Sequence, residues 1–150
     1  MVYLATDHAG FELKEKVKKF LKEEGHEVED CGAYQLDHND DYPDFISKAA
    51  EAVSKDPSSK AIILGGSGQG EAIVANKFPN VRAAVYYGGY DEIPKLTREH
   101  NDSNILSLGA RFLSEEQALE AIKLFLETSF SNEERHSRRV EKIKKIEEDK

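Results

Sequence analysis

Ile62-Ile63-Leu64-Gly65-Gly66-Ser67-Gly68-Gln69-Gly70-Glu71-Ala72-Ile73 reads as a buried strand that breaks into a glycine-rich turn and restarts as a helix. On both sides of it, short apolar runs alternate with longer stretches of helical periodicity. That alternation is the sequence form of a parallel sheet wrapped by crossover helices, so the class is α/β. The spacing predicts strands over Val2–Thr6, His26–Asp30, Ala61–Gly65, Arg82–Tyr86 and Ile105–Leu108, most of them ended by a turn-former.

Between the strands, Phe11–Glu24 sets Leu13, Val17, Phe20 and Leu21 on one face, Asp44–Ser54 does the same with Phe45, Ala49, Ala52 and Val53, and Glu115–Glu127 carries Ala118, Ile122 and Phe125. Ser114 with Glu116 and Gln117 has the form of a capping box, and Gly25 is placed to close the first helix. Asn132–Lys150 is dense in charge but holds Val140, Ile143 and Ile146 at helical spacing, which predicts a terminal amphipathic helix whose apolar stripe needs a cover. The other helices are already committed to the sheet, so a partner subunit is the expected cover. No repeat or interdomain linker interrupts residues 1–150, which are expected to form one domain.

The chain has 150 residues, 39% apolar and 33% charged, with a formal net charge of −8. An acidic balance of that size disfavours nucleic acid and anionic membrane surfaces as partners, and any anion must be held by a local site. The single cysteine, Cys31, cannot close an internal disulfide, and no stretch reaches the roughly 18 consecutive apolar residues of a membrane span. Met1-Val2-Tyr3-Leu4-Ala5-Thr6-Asp7 has no basic region ahead of an apolar stretch, and a cytoplasmic location is expected.

A turn that opens a helix exposes main-chain N–H groups to an anion; the plain alternative is a tight strand-to-helix connection. Known phosphate signatures do not fit. A Walker A loop needs Lys and Ser/Thr where this chain has Glu71 and Ala72. The dinucleotide fingerprint has other glycine spacing, and the esterase elbow needs a glycine at Gln69. A carboxylate beside a nest of amides instead suits proton abstraction next to a carbonyl, with Glu71 as base and the loop amides facing the developing oxyanion.

Three further groups of residues stand out. Asp7-His8-Ala9-Gly10 follows the first strand, as an N-cap with an exposed histidine or as part of a crevice shared with the glycine loop, because ligands of doubly wound sheets bind beyond strand carboxyl ends. Arg98-Glu99-His100-Asn101-Asp102-Ser103-Asn104 is either a basic helix C-terminus or a polar functional loop. Arg111, together with Arg135-His136-Ser137-Arg138-Arg139, offers guanidinium forks to phosphate or forms a solvated face. The loop Leu36-Asp37-His38-Asn39-Asp40-Asp41 lacks calcium-loop or paired-histidine spacing, so no metal is expected; Cys31 reads as a packed small residue and His26 as structural.

Taken together, Thr6-Asp7-His8-Ala9-Gly10, Asp41-Tyr42-Pro43, Gly65 through Glu71, Ala75-Asn76-Lys77, Arg98-Glu99-His100-Asn101 and Arg135-His136 with Arg139 resemble the type B ribose-5-phosphate isomerases, a family that also contains galactose-6-phosphate and allose-6-phosphate isomerases. The resemblance covers nearly the whole chain. It implies a three-layer α/β/α Rossmann-like domain with a five-stranded parallel sheet. It also implies a homodimer or tetramer with active sites at the subunit interface, and aldose–ketose isomerisation without metal or cofactor.

Residue by residue, the resemblance gives Asp7 the sugar hydroxyls, His8 a substrate contact near the phosphate, and His100 with Asn101 the opening of the furanose ring. Ser67 and the amides of Gly66, Gly68, Gln69 and Gly70 would stabilise the enediolate. Arg111, Arg135 and Arg139, with His136, would bind phosphate, and Tyr42 would line the pocket. Many members carry a cysteine base where this chain has Gly65. Another branch has glycine there and a glutamate at the position of Glu71, in agreement with the chemical argument from the loop. The alternatives are a six-carbon substrate within the same family and a non-catalytic module that binds a sugar phosphate.

Overall fold

The computed structural model describes residues 1–149. Five parallel strands, β1 (Val2–Thr6), β2 (Val28–Asp30), β3 (Lys60–Gly65), β4 (Ala83–Tyr86) and β5 (Ile105–Gly109), form one sheet in the order β2-β1-β3-β5-β4. Every neighbouring pair is parallel, so each connection must return the chain to the starting edge, and helices make those returns. They are α1 (Phe11–Glu23), α2 (Pro43–Lys55), α3 (Gln69–Ala75) and α4 (Ile93–Asn101), followed by α5 (Glu115–Glu127) and α6 (Glu134–Glu148).

Side chains alternate between the two faces of the sheet, and both faces are apolar. Leu4, Ile62, Leu64, Leu106 and Leu108 pack against α1 and α5 through Val17, Leu21, Ile122 and Phe125. Ala5, Ala61, Ile63 and Ile105 pack against α2 and α3 through Ile46, Ala49, Ala50, Val53 and Ala75. This gives the three layers, and the continuous run Ile62-Ile63-Leu64 is what a strand covered on both sides requires. Truncating one of these fully buried residues to alanine costs about 2–5 kcal/mol.

The element boundaries follow local chemistry. α1 ends in a Schellman turn, with Gly25 at φ +87°, its N–H on the Lys22 carbonyl and that of His26 on the Leu21 carbonyl. That turn engages His26, so β2 begins at Val28, two residues later than the sequence pattern suggests. The capping box of α5 is present, Ser114 Oγ accepting from the Gln117 N–H and the Gln117 side chain accepting from the Ser114 N–H.

The buried face of α1 also differs from the pattern. Lys14 lies fully buried beside Val17 and Leu21, while Leu13 and Phe20 are only partly covered. Its ammonium is fixed at 2.7 Å on both Asp30 oxygens and on the Ala33 carbonyl, and Lys18 adds a further bond to Asp30 at 2.8 Å. Periodicity cannot register this, because a buried charge is tolerated only where its partners lie, and Asp30 comes from another element.

The terminal helix starts at Glu134, after Asn132 turns through φ +59°; Lys150 falls outside the described residues. It rests on α4, and the Glu147 carboxylate accepts from the Asn80 N–H at 2.9 and 3.0 Å. Ile143 and Ile146 remain 49% and 63% exposed and line a cavity of about 430 Å³ with Val81, Ala83 and Ala84 of the β4 edge. No described helix is long and apolar enough to cross a membrane.

Candidate active site

The chain reverses direction across the sheet between β1 and β3: β2 lies on the far side of β1, and β3 on the other. A crevice opens at the carboxyl ends of strands where the winding switches sides. Asp7 and His8 follow β1, and the glycine loop follows β3, so the two segments share that crevice. Tyr42 enters it from the start of α2, and Arg111 from beyond β5.

Inside the crevice, side chains occupy the space that glycines leave open. A Cβ on Gly65 would fall on the carboxyl group of Glu71, and one on Gly70 would meet the Tyr42 ring, 2.6 Å from Cζ. One on Gly66 would sit 3.0 Å from Nη1 of Arg111. Gly68 has a different duty. At φ +80° it makes the sharp entry into α3, and its carbonyl accepts from the buried Ser107 Oγ at 2.7 Å, anchoring the loop to β5.

Glu71 is 4% exposed. Burial pushes its carboxyl pKa above the usual carboxylate range, and the nearby Asp7 charge pushes the same way. Main-chain N–H groups of Glu71 and Gly68 offset this only in part. A carboxylate so placed is a better proton acceptor than an exposed glutamate, and it stands next to a loop rich in main-chain donors. Ser67 Oγ accepts from the Gln69 N–H at 3.3 Å, while the Gln69 side chain itself is exposed.

Asp7 is buried and caps the turn after β1, its Oδ1 accepting from the Ala9 N–H at 3.0 Å. His8 is held by Asp40, a residue whose part in the site the sequence pattern did not reveal. Asp40 Oδ1 accepts from the His8 main-chain N–H at 3.0 Å and lies 2.7 Å from the ring Nδ1. Asp7, His8 and Asp40 offer ligand atoms within 4.8 Å of one another. His8 Nδ1 is already engaged and the positive charge of Arg111 is close enough to act on it, so the trio fits a hydrogen-bonded pair better than a cation site. Burial pushes the Cys31 thiol up to about 11, which leaves it protonated and inert at neutral pH.

The remaining residues singled out from the sequence lie elsewhere. α4 runs back across the sheet, so His100 and Asn101 in its last turn sit at the amino edge, close to where β5 begins. One strand length, on the order of 15 Å, separates that edge from the glycine loop. Arg135, His136 and Arg139 join them there on α6, with the His100 and His136 rings 4.4 Å apart. His136 is buried, with Nδ1 at 2.7 Å from Ser131 Oγ, and burial with the Arg135 charge lowers its pKa. Arg98 is structural: it binds the carbonyls of Thr128 and Ser103 and the carboxylate of Asp102. Within one chain the candidate residues therefore form two groups at opposite edges.

The fold and this crevice define a Rossmann-like α/β protein whose glycine loop departs from the nucleotide-binding signatures. A family model described as Ribose/Galactose Isomerase matches residues 2–143, and the chain belongs to that family. It is 44% identical to a ribose-5-phosphate isomerase B of Mycolicibacterium paratuberculosis over 93% of this chain and 87% of that one. It is 37% identical to a probable ribose-5-phosphate isomerase B of Mycoplasma pneumoniae over 99% and 96%. A crystal structure of ribose-5-phosphate isomerase B from Mycoplasma genitalium with bound ribulose-5-phosphate superposes with a TM-score of 0.95 at 33% identity, covering 99% and 97% of the chains. That from Clostridium thermocellum gives 0.92 at 40% identity over 99% and 97%.

Proposed function

We propose that the protein interconverts ribose 5-phosphate and ribulose 5-phosphate, with Glu71 as the base. The observation that carries the assignment of the base is the Glu71 carboxyl group, buried over Gly65 with its pKa raised. Membership of the isomerase family supplies the reaction class.

His100, aided by Asn101, assists opening of the furanose ring. Glu71 then removes the C2 proton, and the electron pair moves onto the C1 carbonyl oxygen to give an enediolate. Ser67 and the amides of Gly66 through Gly70 hold its negative charge, and return of the proton to C1 completes the ketose. Asp7 holds sugar hydroxyls and Tyr42 lines the pocket. Arg111 and His8 meet the phosphate from this side, and Arg135, His136 and Arg139 meet it from the other. The net change is one proton moved from C2 to C1 with its matching transfer between oxygens, so the sequence of steps requires no redox cofactor or metal.

The separation of the two residue groups supports a homodimer, or a pair of dimers, in which the amino edge of one copy closes the crevice of another. The uncovered Ile143 and Ile146 support the same assembly. A single catalytic domain working in the cytoplasm fits the acidic surface and the single free cysteine. The test is a coupled assay of the purified protein with ribose 5-phosphate, allose 6-phosphate and galactose 6-phosphate. The five-carbon substrate is expected to have the highest kcat/KM; preference for a hexose phosphate would move the protein elsewhere in its family. Absence of turnover on all three would leave a binding module.

A further inference from the structure

We propose that Asp40 is a positioning residue for the phosphate end of the substrate. By fixing both the main-chain N–H and the ring Nδ1 of His8, it leaves Nε2 as the one ring nitrogen turned over to the ligand and sets a carboxylate against the imidazole that favours its charged form. The proposal rests on the isomerase reading and deepens it, since it gives a residue outside the family motifs a duty in that site.

The geometry carries the first half. One carboxylate oxygen serves two donors of the same residue, at 3.0 Å and 2.7 Å, so neither the ring plane nor its rotamer is free. Asp40 comes from the loop between β2 and α2, 32 residues along the chain, so the contact is tertiary and does not arise from the local turn. With Nδ1 committed to Asp40, only Nε2 can face a substrate oxygen.

Charge accounting carries the second half. The Asp40 side chain is 9% exposed, and its Oδ2 is buried without a hydrogen-bond partner among the described residues. A buried carboxylate in that state needs a cation, and the nearest group able to become one is the His8 ring. The charged and titratable groups that face this ring are Asp40, Asp7 at 3.9 Å, the Arg111 guanidinium and the His38 ring at 6.0 Å. Their combined effect raises the His8 pKa: the Asp40 hydrogen bond is the largest cause, the Asp7 charge adds to it, and burial and Arg111 oppose. An imidazolium placed with Arg111 at the mouth of the crevice gives a phosphate dianion two cationic donors from one subunit.

Asp40→Asn tests the charge while keeping an oxygen for both donors, and Asp40→Ala removes both. The His8 ring protons are followed by NMR against pH, the signal being assigned by its loss in His8→Asn. The Asn variant is expected to lower the His8 titration midpoint. It should raise KM for ribose 5-phosphate about tenfold at neutral pH with kcat within about twofold, as loss of a charge-assisted contact would. The gap should close as pH falls and His8 becomes protonated regardless of its partner. In a His8→Asn background the same Asp40→Asn change should have no effect on KM. An unchanged His8 midpoint in Asp40→Asn, or a KM effect that persists without His8, would overturn the proposal. The titration arm needs no turnover, so failure of the isomerase reading is distinguishable from failure of this one.

Discussion

At the carboxyl edge of the sheet, Asp7 and Arg111 stand on segments that leave strands directly and Glu71 stands in the first turn of α3, and Glu71 and Arg111 lie over glycines of the same turn. At the amino edge, His100, Arg135, His136 and Arg139 stand on two helices, one of which is held by its packing on α4 and by one carboxylate on Asn80. The first group is built in place by the sheet. The second is a separate surface, and in the proposed assembly its residues meet a substrate at the carboxyl edge of another copy of the chain. Fold and proposed function thus divide differently: one chain makes the layers, and the proposed site draws on two.

Four experiments press on that division. Glu71→Gln has the largest expected effect, lowering kcat by roughly 10²–10⁴ with KM little changed, because it keeps the shape of the group over Gly65 and removes its basicity. Exchange of the C2 proton with heavy water, followed by NMR, should fall in parallel. Near-normal turnover would place the base elsewhere at the carboxyl edge, with Asp7 next in line.

Mixing comes second. Glu71→Gln and a double variant, His100→Ala with Arg139→Ala, damage opposite edges. If each site takes one edge from each copy, random assortment of the two variants in a dimer restores about one quarter of wild-type sites. No recovery on co-refolding would mean that a single chain supplies both edges, against the strand-length separation described above.

Arg139→Ala alone should raise KM for the phosphorylated substrate about 10- to 150-fold, equivalent to the roughly 1.5–3 kcal/mol of a charge-assisted contact. Inhibition by inorganic phosphate should weaken by a similar factor. An unaltered KM would reduce the basic cluster of α6 to a solvated face.

The smallest effect is on pH dependence. The Glu71 pKa is raised in the folded protein from its ordinary value of 4.5, so the ionised form is the disfavoured one. Its ionisation costs stability above the folded pKa, and stability is regained as pH falls through it. Glu71→Gln should accordingly melt at or above the wild-type temperature at pH 7, and the difference should shrink on acidification. In the wild type, kcat should fall with decreasing pH at a higher pH than an exposed glutamate would give. A melting temperature at pH 7 below that of the wild type would argue that the carboxylate is stabilised in place, contrary to its burial.

Much of this molecule was legible in one dimension because the relevant physics is local. The alternation of apolar runs with helical periods placed the strands and helices to within a few residues, and both capping devices were visible as Ser114-x-x-Gln117 and Gly25. The glycine loop with its trailing Glu71 announced a carboxylate beside main-chain donors, since those groups are close in sequence. What sequence could not express were contacts made across elements. Nothing in the helical pattern set Lys14 apart from the other lysines of α1, and only the arrival of Asp30 and the Ala33 carbonyl explains its burial. Asp40 was one acid among several until the fold laid it against His8, 32 positions away. The same holds for the spacing of His100 from Glu71: a chain records their order, but which edge of the sheet each reaches is decided by the direction of a crossover helix.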